Sequence, residues 1–274
     1  MSVEFLESLE RVERRWEWQS LVVDGYEWRW LDTACEGAVA VLLPGSMGDA
    51  GVFALTLEAM GDKARLVAVT YPALSDPAAL ADGLAALLDH LAVESATVVG
   101  SSFAAWWSQY FALRHPRLVA NLVIGNGFVE GNDLAGNPLF DRESIRSTPA
   151  EELHRQWLDR IESAPASPMQ RLQRRMLAER QGAENLAARL RGVVEALPCP
   201  ALPIPADAVT VLDCTDDPII PSDVRARVRS RYPGSRHVTL DSGGHYPHLL
   251  NPRGYQQLLA SILERPGHTK GDPA

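Results

Sequence analysis

The residues best placed to do chemistry cluster around one serine. In Thr97-Val98-Val99-Gly100-Ser101-Ser102-Phe103-Ala104-Ala105 an apolar, strand-like run passes into a helical one. Gly100 and Ala104 stand two positions either side of Ser102, which matches the pattern G-x-S-x-G with alanine in the last place. A nucleophile held on a sharp strand-to-helix turn sits in strained backbone, and bulky neighbours two residues away would clash. Ser101 fails that requirement, because Val99 and Phe103 flank it. Ser102 is therefore the candidate nucleophile.

A serine hydroxyl attacks only when a base takes its proton, and the base needs a carboxylate to orient it. Two late segments offer these groups in the order Ser, Asp, His. Asp217 follows a strand-like run in Leu212-Asp213-Cys214-Thr215-Asp216-Asp217-Pro218, and His245 lies in Ser242-Gly243-Gly244-His245-Tyr246-Pro247. Asp217 is the expected acid, with Asp216 as its rival. Asp213, still inside the strand run, reads as solvated or hydrogen-bonded. The tetrahedral oxyanion needs backbone N–H donors. Phe103, at a helix N-terminus, is one candidate. The other comes from Leu43-Pro44-Gly45-Ser46-Met47-Gly48, by position Ser46, with Met47 second. Met47, Trp106 and Trp157 are the expected substrate contacts, and Met169 and Met176 either pack in helices or line the same pocket. His248 reads as a surface or packing residue. His90, His115, His154, His237 and His268 have no motif around them and read as structural or exposed.

These residues must be positioned by a scaffold, and the chain shows one. Asp24-Gly25 between two β-rich runs predicts a tight hairpin. Short apolar runs at 38–43, 66–69, 96–99, 118–124, 208–212 and 237–240 fit strands buried on both faces of a parallel sheet. Helices are predicted between them. Asp76-Pro77 and Asn251-Pro252 are start signals, Leu80, Leu84, Leu87 and Leu88 form one apolar stripe, and His115-Pro116 is a stop. Repeated strand and helix predicts a doubly wound α/β sheet. From Phe128 to Val209 no strand is predicted. There Thr148-Pro149-Ala150-Glu151 reads as a capping box, and arginine-rich helix runs on from Met169 to Leu197. This predicts a single domain, with a core of residues 1–128 and 206–274 and an inserted helical lid of residues 129–205. The lid arginines Arg171, Arg174, Arg175 and Arg180 read as a solvated face.

Composition removes other classes. With 274 residues, 46% hydrophobic and 22% charged, the chain is neither disordered nor collagen-like. A net charge of −9 gives no electrostatic footprint for nucleic acid or for an anionic bilayer. Three cysteines without a CxxC pair argue against disulfides and a zinc site and for a reducing compartment. The acidic first residues carry no apolar signal core, and no run reaches the roughly 18 apolar residues of a membrane span. A cytoplasmic protein is expected. Its expected partners are a small-molecule substrate and, at most, further copies of itself in a homo-oligomer.

At the serine turn and the late acid and histidine the sequence resembles the α/β-hydrolase superfamily, over roughly residues 21–263. Arg65-Leu66-Val67-Ala68-Val69-Thr70-Tyr71-Pro72, Leu87-Leu88-Asp89-His90-Leu91, Asn126-Gly127-Phe128 and Tyr232-Pro233-Gly234-Ser235-Arg236 resemble maspardin-like proteins of that fold. The resemblance implies an α/β-hydrolase fold. It also brings in a non-catalytic binding or adaptor role, because maspardin-like proteins have an incomplete triad. This chain departs from them in carrying His245 after Gly243-Gly244, and Asp217 in an ordinary acid loop. The expectation is therefore a serine hydrolase acting on an ester or thioester without metal or organic cofactor. The adaptor is the alternative, as is a lyase or acyl transferase using the same triad.

Overall fold

The computed structural model describes residues 2–265; His268 and the outermost ends of the expected core lie outside them. Helix α1 (Ser2–Arg15) leads into β1 (Gln19–Val23) and β2 (Tyr26–Asp32). The turn between these strands holds Asp24 at φ 50° and Gly25 at φ 82°. A two-residue hairpin of this hand needs both angles positive, which explains Asp-Gly. Next come β3 (Val39–Leu43), α2 (Ala54–Met60), β4 (Arg65–Thr70), α3 (Pro77–His90), β5 (Ala96–Ser101), α4 (Phe103–Arg114) and β6 (Val119–Gly125). Residues 126–208 then form helices and loops: α5 (Arg142–Ser147), α6 (Ala150–Ser163), α7 (Pro168–Arg175), a π-helical turn (Met176–Arg180) and α8 (Ala183–Val194). The alternation resumes with β7 (Val209–Cys214), α9 (Ser222–Arg231), β8 (Arg236–Leu240), α10 (Pro247–Leu250) and α11 (Pro252–Leu263).

The eight strands form one sheet in the order β1-β2-β4-β3-β5-β6-β7-β8. The pairings β1–β2 and β2–β4 are antiparallel, and every pairing from β4 through β3 to β8 is parallel. Alternate side chains of each strand serve opposite faces. Val41 and Leu43 pack with α3, α4 and the inserted helices, while Ala40 and Leu42 pack with α1, α2 and α11. This is the doubly wound, mostly parallel α/β sheet that the alternation predicts.

The start signals are found where expected. Asp76 accepts hydrogen bonds from the N–H groups of Ala78 and Ala79, and Asn251 accepts one from Gly254. Three expectations are corrected. β8 is an edge strand with only partial burial, because nothing pairs with its outer side. Thr148 is no cap: α6 starts at Ala150 with Pro149 in the cap position and no side-chain hydrogen bond there. The long arginine-rich helix is broken into α7, the π-turn and α8, with Gly182 entering α8 in extended conformation. Among the described residues no helix is long and apolar enough to cross a membrane.

Candidate active site

Ser102 caps the junction of β5 and α4 with φ 53° and ψ −116°. A serine in this region is strained, and the strain is held by its surroundings. Its N–H donates to the Gly125 carbonyl of β6 at 2.9 Å. A side chain at Gly100 would place its first carbon 2.4 Å from the Ala104 carbonyl oxygen, so only glycine fits there. Ala104 is itself fully buried. The turn thus needs small residues at both places, as the sequence pattern requires.

The side chains of Ser102, His245 and Asp217 form one hydrogen-bonded line. The His245 Nε2 atom is 2.9 Å from the Ser102 Oγ, and its Nδ1 is 3.0 and 3.2 Å from the two Asp217 oxygens. All three residues are buried. Asp217 also accepts N–H bonds from Ile219 and Ile220 on Oδ1 and the Asn126 amide on Oδ2, the last at 2.6 Å. Burial pushes the Asp217 carboxyl up, but the His245 ring, the Asn126 amide and the Ile219 N–H outweigh it and hold it below the usual carboxylate range. It stays ionised beside the imidazole. Asp216 does different work: its oxygens accept the N–H groups of Gly243 and Gly244 and so fix the loop that carries His245. Asp213 is buried and paired with Arg229.

The loop after β3 approaches from the opposite side. Gly45 lies so close that an added side-chain carbon would stand 3.0 Å from the Ser102 Cβ. Among the described residues no protein acceptor is paired with the N–H of Ser46 or Met47. Phe103 is the first residue of α4, so its N–H has no intrahelical partner either. Two inserted residues hold this loop, and sequence reading passed over both. Gln181 accepts from the Gly48 N–H and donates to the Ser46 carbonyl, each at 2.8 Å. Arg189, fully buried, donates to the carbonyls of Gly45 and Gly48 at 3.0 and 2.8 Å. Asn126 was also passed over as a site residue. It sits at φ 47° just past β6.

A cavity of about 510 Å³ opens above Ser102 and His245. Met47, Val52, Leu139, Phe140, Trp157, Ile161, Met169 and Ile219 line it, with Ser46, Arg160, Gln173, Asp216 and His248 among its polar members. Met47 and Trp157, two of the expected substrate contacts, are thus both in the cavity wall. Trp106 is not: it does not line this cavity, stacks on Phe103 and gives its indole N–H to the Leu197 carbonyl at 2.7 Å. Met176 is buried away from the cavity, packed near Gly48. His248 is buried and not at the surface, ringed by Phe53, Tyr246 and Tyr255, and neither ring nitrogen has a protein partner. Arg180 does not belong to a solvated face; it bridges Asp49 and Glu13 at 2.7 and 2.6 Å. Arg174 does lie exposed, paired with Glu162. All three cysteines are free, and burial pushes the Cys214 thiol, beside the acid loop, up to about 12. Among the described residues no cluster of three or more His, Cys, Asp or Glu is arranged to hold a metal ion.

Comparison with known proteins agrees with this architecture. A family model described as the alpha/beta hydrolase family matches residues 22–256. A protein of Pantoea ananatis named "Putative carbamate hydrolase RutD" is 27% identical over 206 residues, 71% of this chain and 74% of the relative. Human maspardin is 29% identical over 221 residues, 76% of this chain and 69% of the relative. The solved enol-lactonase of Burkholderia xenovorans LB400 superposes with a TM-score of 0.72 at 16% identity, covering 90% of this chain and 100% of that one.

Proposed function

The chain belongs to the α/β-hydrolase family, and from that premise we propose that it is a serine hydrolase cleaving an ester or thioester of a small, largely apolar substrate through an acyl-enzyme. The observation that carries the reading is the hydrogen-bonded line of Ser102, His245 and Asp217 at the floor of an apolar cavity. The family, and relatives and neighbours named as hydrolase and lactonase, support hydrolysis as the reaction class.

In this mechanism Ser102 Oγ forms a bond to the acyl carbon as His245 Nε2 takes its proton. The ionised Asp217 holds the imidazole in the accepting tautomer and stabilises the imidazolium. The oxyanion lies against the N–H groups of Phe103 and Ser46, with the N–H of Met47 as a further donor from the same loop. Collapse breaks the bond to the leaving alkoxide or thiolate, which receives the proton from His245. Water, deprotonated by His245, then attacks the acyl-enzyme, releases the acid and restores Ser102. Residues 129–205 act as the roof that shapes the acyl pocket through Leu139, Phe140, Trp157 and Ile161, and their apolar character favours an aliphatic or aromatic acyl chain.

Maspardin similarity supports a second reading, a binding protein with an unused site. A fluorophosphonate probe separates the two. The hydrolase labels at Ser102 and loses the label in Ser102→Ala, whereas folded wild type that takes no label and turns over no p-nitrophenyl ester is the binding protein. A series of such esters of increasing acyl length reads the pocket.

A further inference from the structure

The inserted helices reach past the substrate cavity to the loop that faces the nucleophile. A trans peptide is planar, with its carbonyl and N–H pointing in opposite directions, so fixing one fixes the other. The carbonyl of Gly45 shares a peptide with the N–H of Ser46. It accepts the Arg189 guanidinium at 3.0 Å, and the Tyr71 hydroxyl, 2.9 Å away, divides its one proton between this carbonyl and that of Pro44 at 2.8 Å. The carbonyl of Ser46 shares a peptide with the N–H of Met47, and it accepts the Gln181 amide at 2.8 Å. Gly48, the next anchor, is held on both sides, its N–H by Gln181 and its carbonyl by Arg189. The Arg189 guanidinium stacks 3.9 Å over the Tyr71 ring and donates to the Tyr71 carbonyl at 3.2 Å, while Asn185 donates to that same carbonyl at 2.9 Å. No carboxylate forms an ion pair with Arg189 among the described residues; its hydrogen bonds go to backbone carbonyls.

We propose that Gln181 and Arg189 are positioning residues that aim the N–H groups of Ser46 and Met47 at the oxyanion, with Arg189 placing its charge behind the Gly45–Ser46 peptide. This rests on the serine-hydrolase reading. A cation on a peptide carbonyl polarises that peptide and strengthens its N–H as a donor, most of all where water is excluded. This buried arginine then has a purpose that packing alone does not supply, since an arginine costs more to bury than a leucine of similar reach. One corollary follows for substrate entry. Any opening of the roof is confined to α6 and α7, because lifting the Gln181–Arg189 stretch would dismantle the oxyanion loop.

The test compares wild type with Gln181→Met, Gln181→Glu and Arg189→Lys on a p-nitrophenyl ester. For each, kcat and KM are measured beside the inhibition constant of an alkyl boronic acid, which forms a tetrahedral adduct on the serine. Gln181→Glu keeps an acceptor for the Gly48 N–H and loses the donor to the Ser46 carbonyl and to the Asn185 side chain. Loss of a whole oxyanion donor costs on the order of 10²–10³ in kcat. Misaiming one is expected to cost about 10–100-fold in kcat in both Gln181 variants, with KM within about threefold and boronate affinity falling in step with kcat. Arg189→Lys, which keeps the charge and loses the fork, is expected to fall between these and wild type. Folded Gln181 variants with unchanged kcat, or with kcat lowered while boronate affinity is unchanged, overturn the proposal and leave the hydrolase reading intact. Wild type that turns over no ester overturns both.

Discussion

Ser102 and His245 meet at 2.9 Å with no intervening group, and on the serine-hydrolase reading that contact makes the serine a nucleophile. Removing the base while keeping its shape should therefore disable the whole set. His245→Asn is expected to retain the fold by circular dichroism and to lower turnover on a model ester by a factor on the order of 10³ or more, since triad members act as a unit. His248, three residues on, is buried with neither ring nitrogen hydrogen-bonded to protein. Burial, aided by the nearby His245, holds its pKa down to about 3 from an ordinary 6.5. Between those values the unfolded chain binds a proton that the folded chain refuses. Stability therefore falls as pH drops from about 6.5 toward 3, by up to about 1.4 kcal/mol per unit. His248→Phe removes the titrating group and both orphaned nitrogens, and is expected to flatten this part of the stability curve in urea titrations at pH 4 and 7.

At the level of elements, the turn from β5 into α4 is limited by space. Ala104 is fully buried, and its carbonyl lies where any side chain at Gly100 would go. Ala104→Gly should be nearly neutral for activity and cost up to about 1 kcal/mol. Ala104→Val should overpack the junction, cost about 1–3 kcal/mol and displace Ser102, read as a lower melting temperature together with lost turnover. A stable, fully active Ala104→Val would remove the steric basis of this turn. The elements around the site were legible because each carries a local signature. Asp24-Gly25, Asp76-Pro77 and Asn251-Pro252 act through their own backbones, and the buried strands are near-continuous apolar runs. The inserted helices were less legible, because their polar residues answer to partners far away in the chain. Arg180 looks like one of a row of surface arginines until Asp49 and Glu13 are seen beside it. Arg189 left a trace: it falls in the helical stripe of Leu186, Leu190 and Val193, a spacing that places it on the buried face. Trp106 misled for the converse reason, since position next to the nucleophile in sequence says nothing about which side of α4 faces the cavity.

For the molecule as a whole, the insertion is tied to the core by charge as well as by packing. Arg180 joins the π-turn to α1 through Glu13 and to the loop after β3 through Asp49, and only 16% of its side chain is exposed. Removing one member of a largely buried pair leaves the other charge stranded. Arg180→Met is therefore expected to lower stability by about 1–3 kcal/mol, a figure reduced for the remaining exposure. Protease nicking in the segment between α6 and α8 should rise with it. Unchanged stability and unchanged cleavage would mean that packing alone holds the insertion down.

The order of the strands has a consequence for how the protein becomes active. Ser102 lies 143 residues before His245, and Gly48 lies 133 before Gln181. β8, which feeds the histidine loop, joins the sheet at its far edge. Ribosomal synthesis thus delivers the serine turn, the oxyanion loop and the roof before the base exists in the chain. Contacts of such separation close slowly, because the intervening loop entropy must be overcome first. A nascent chain ending before β8 can carry most of a core and no hydrolytic competence. On dilution from denaturant, the return of esterase activity is expected to lag behind the return of helical signal. On the serine-hydrolase reading, newly made copies are thus kept inactive until the sheet has its last strand.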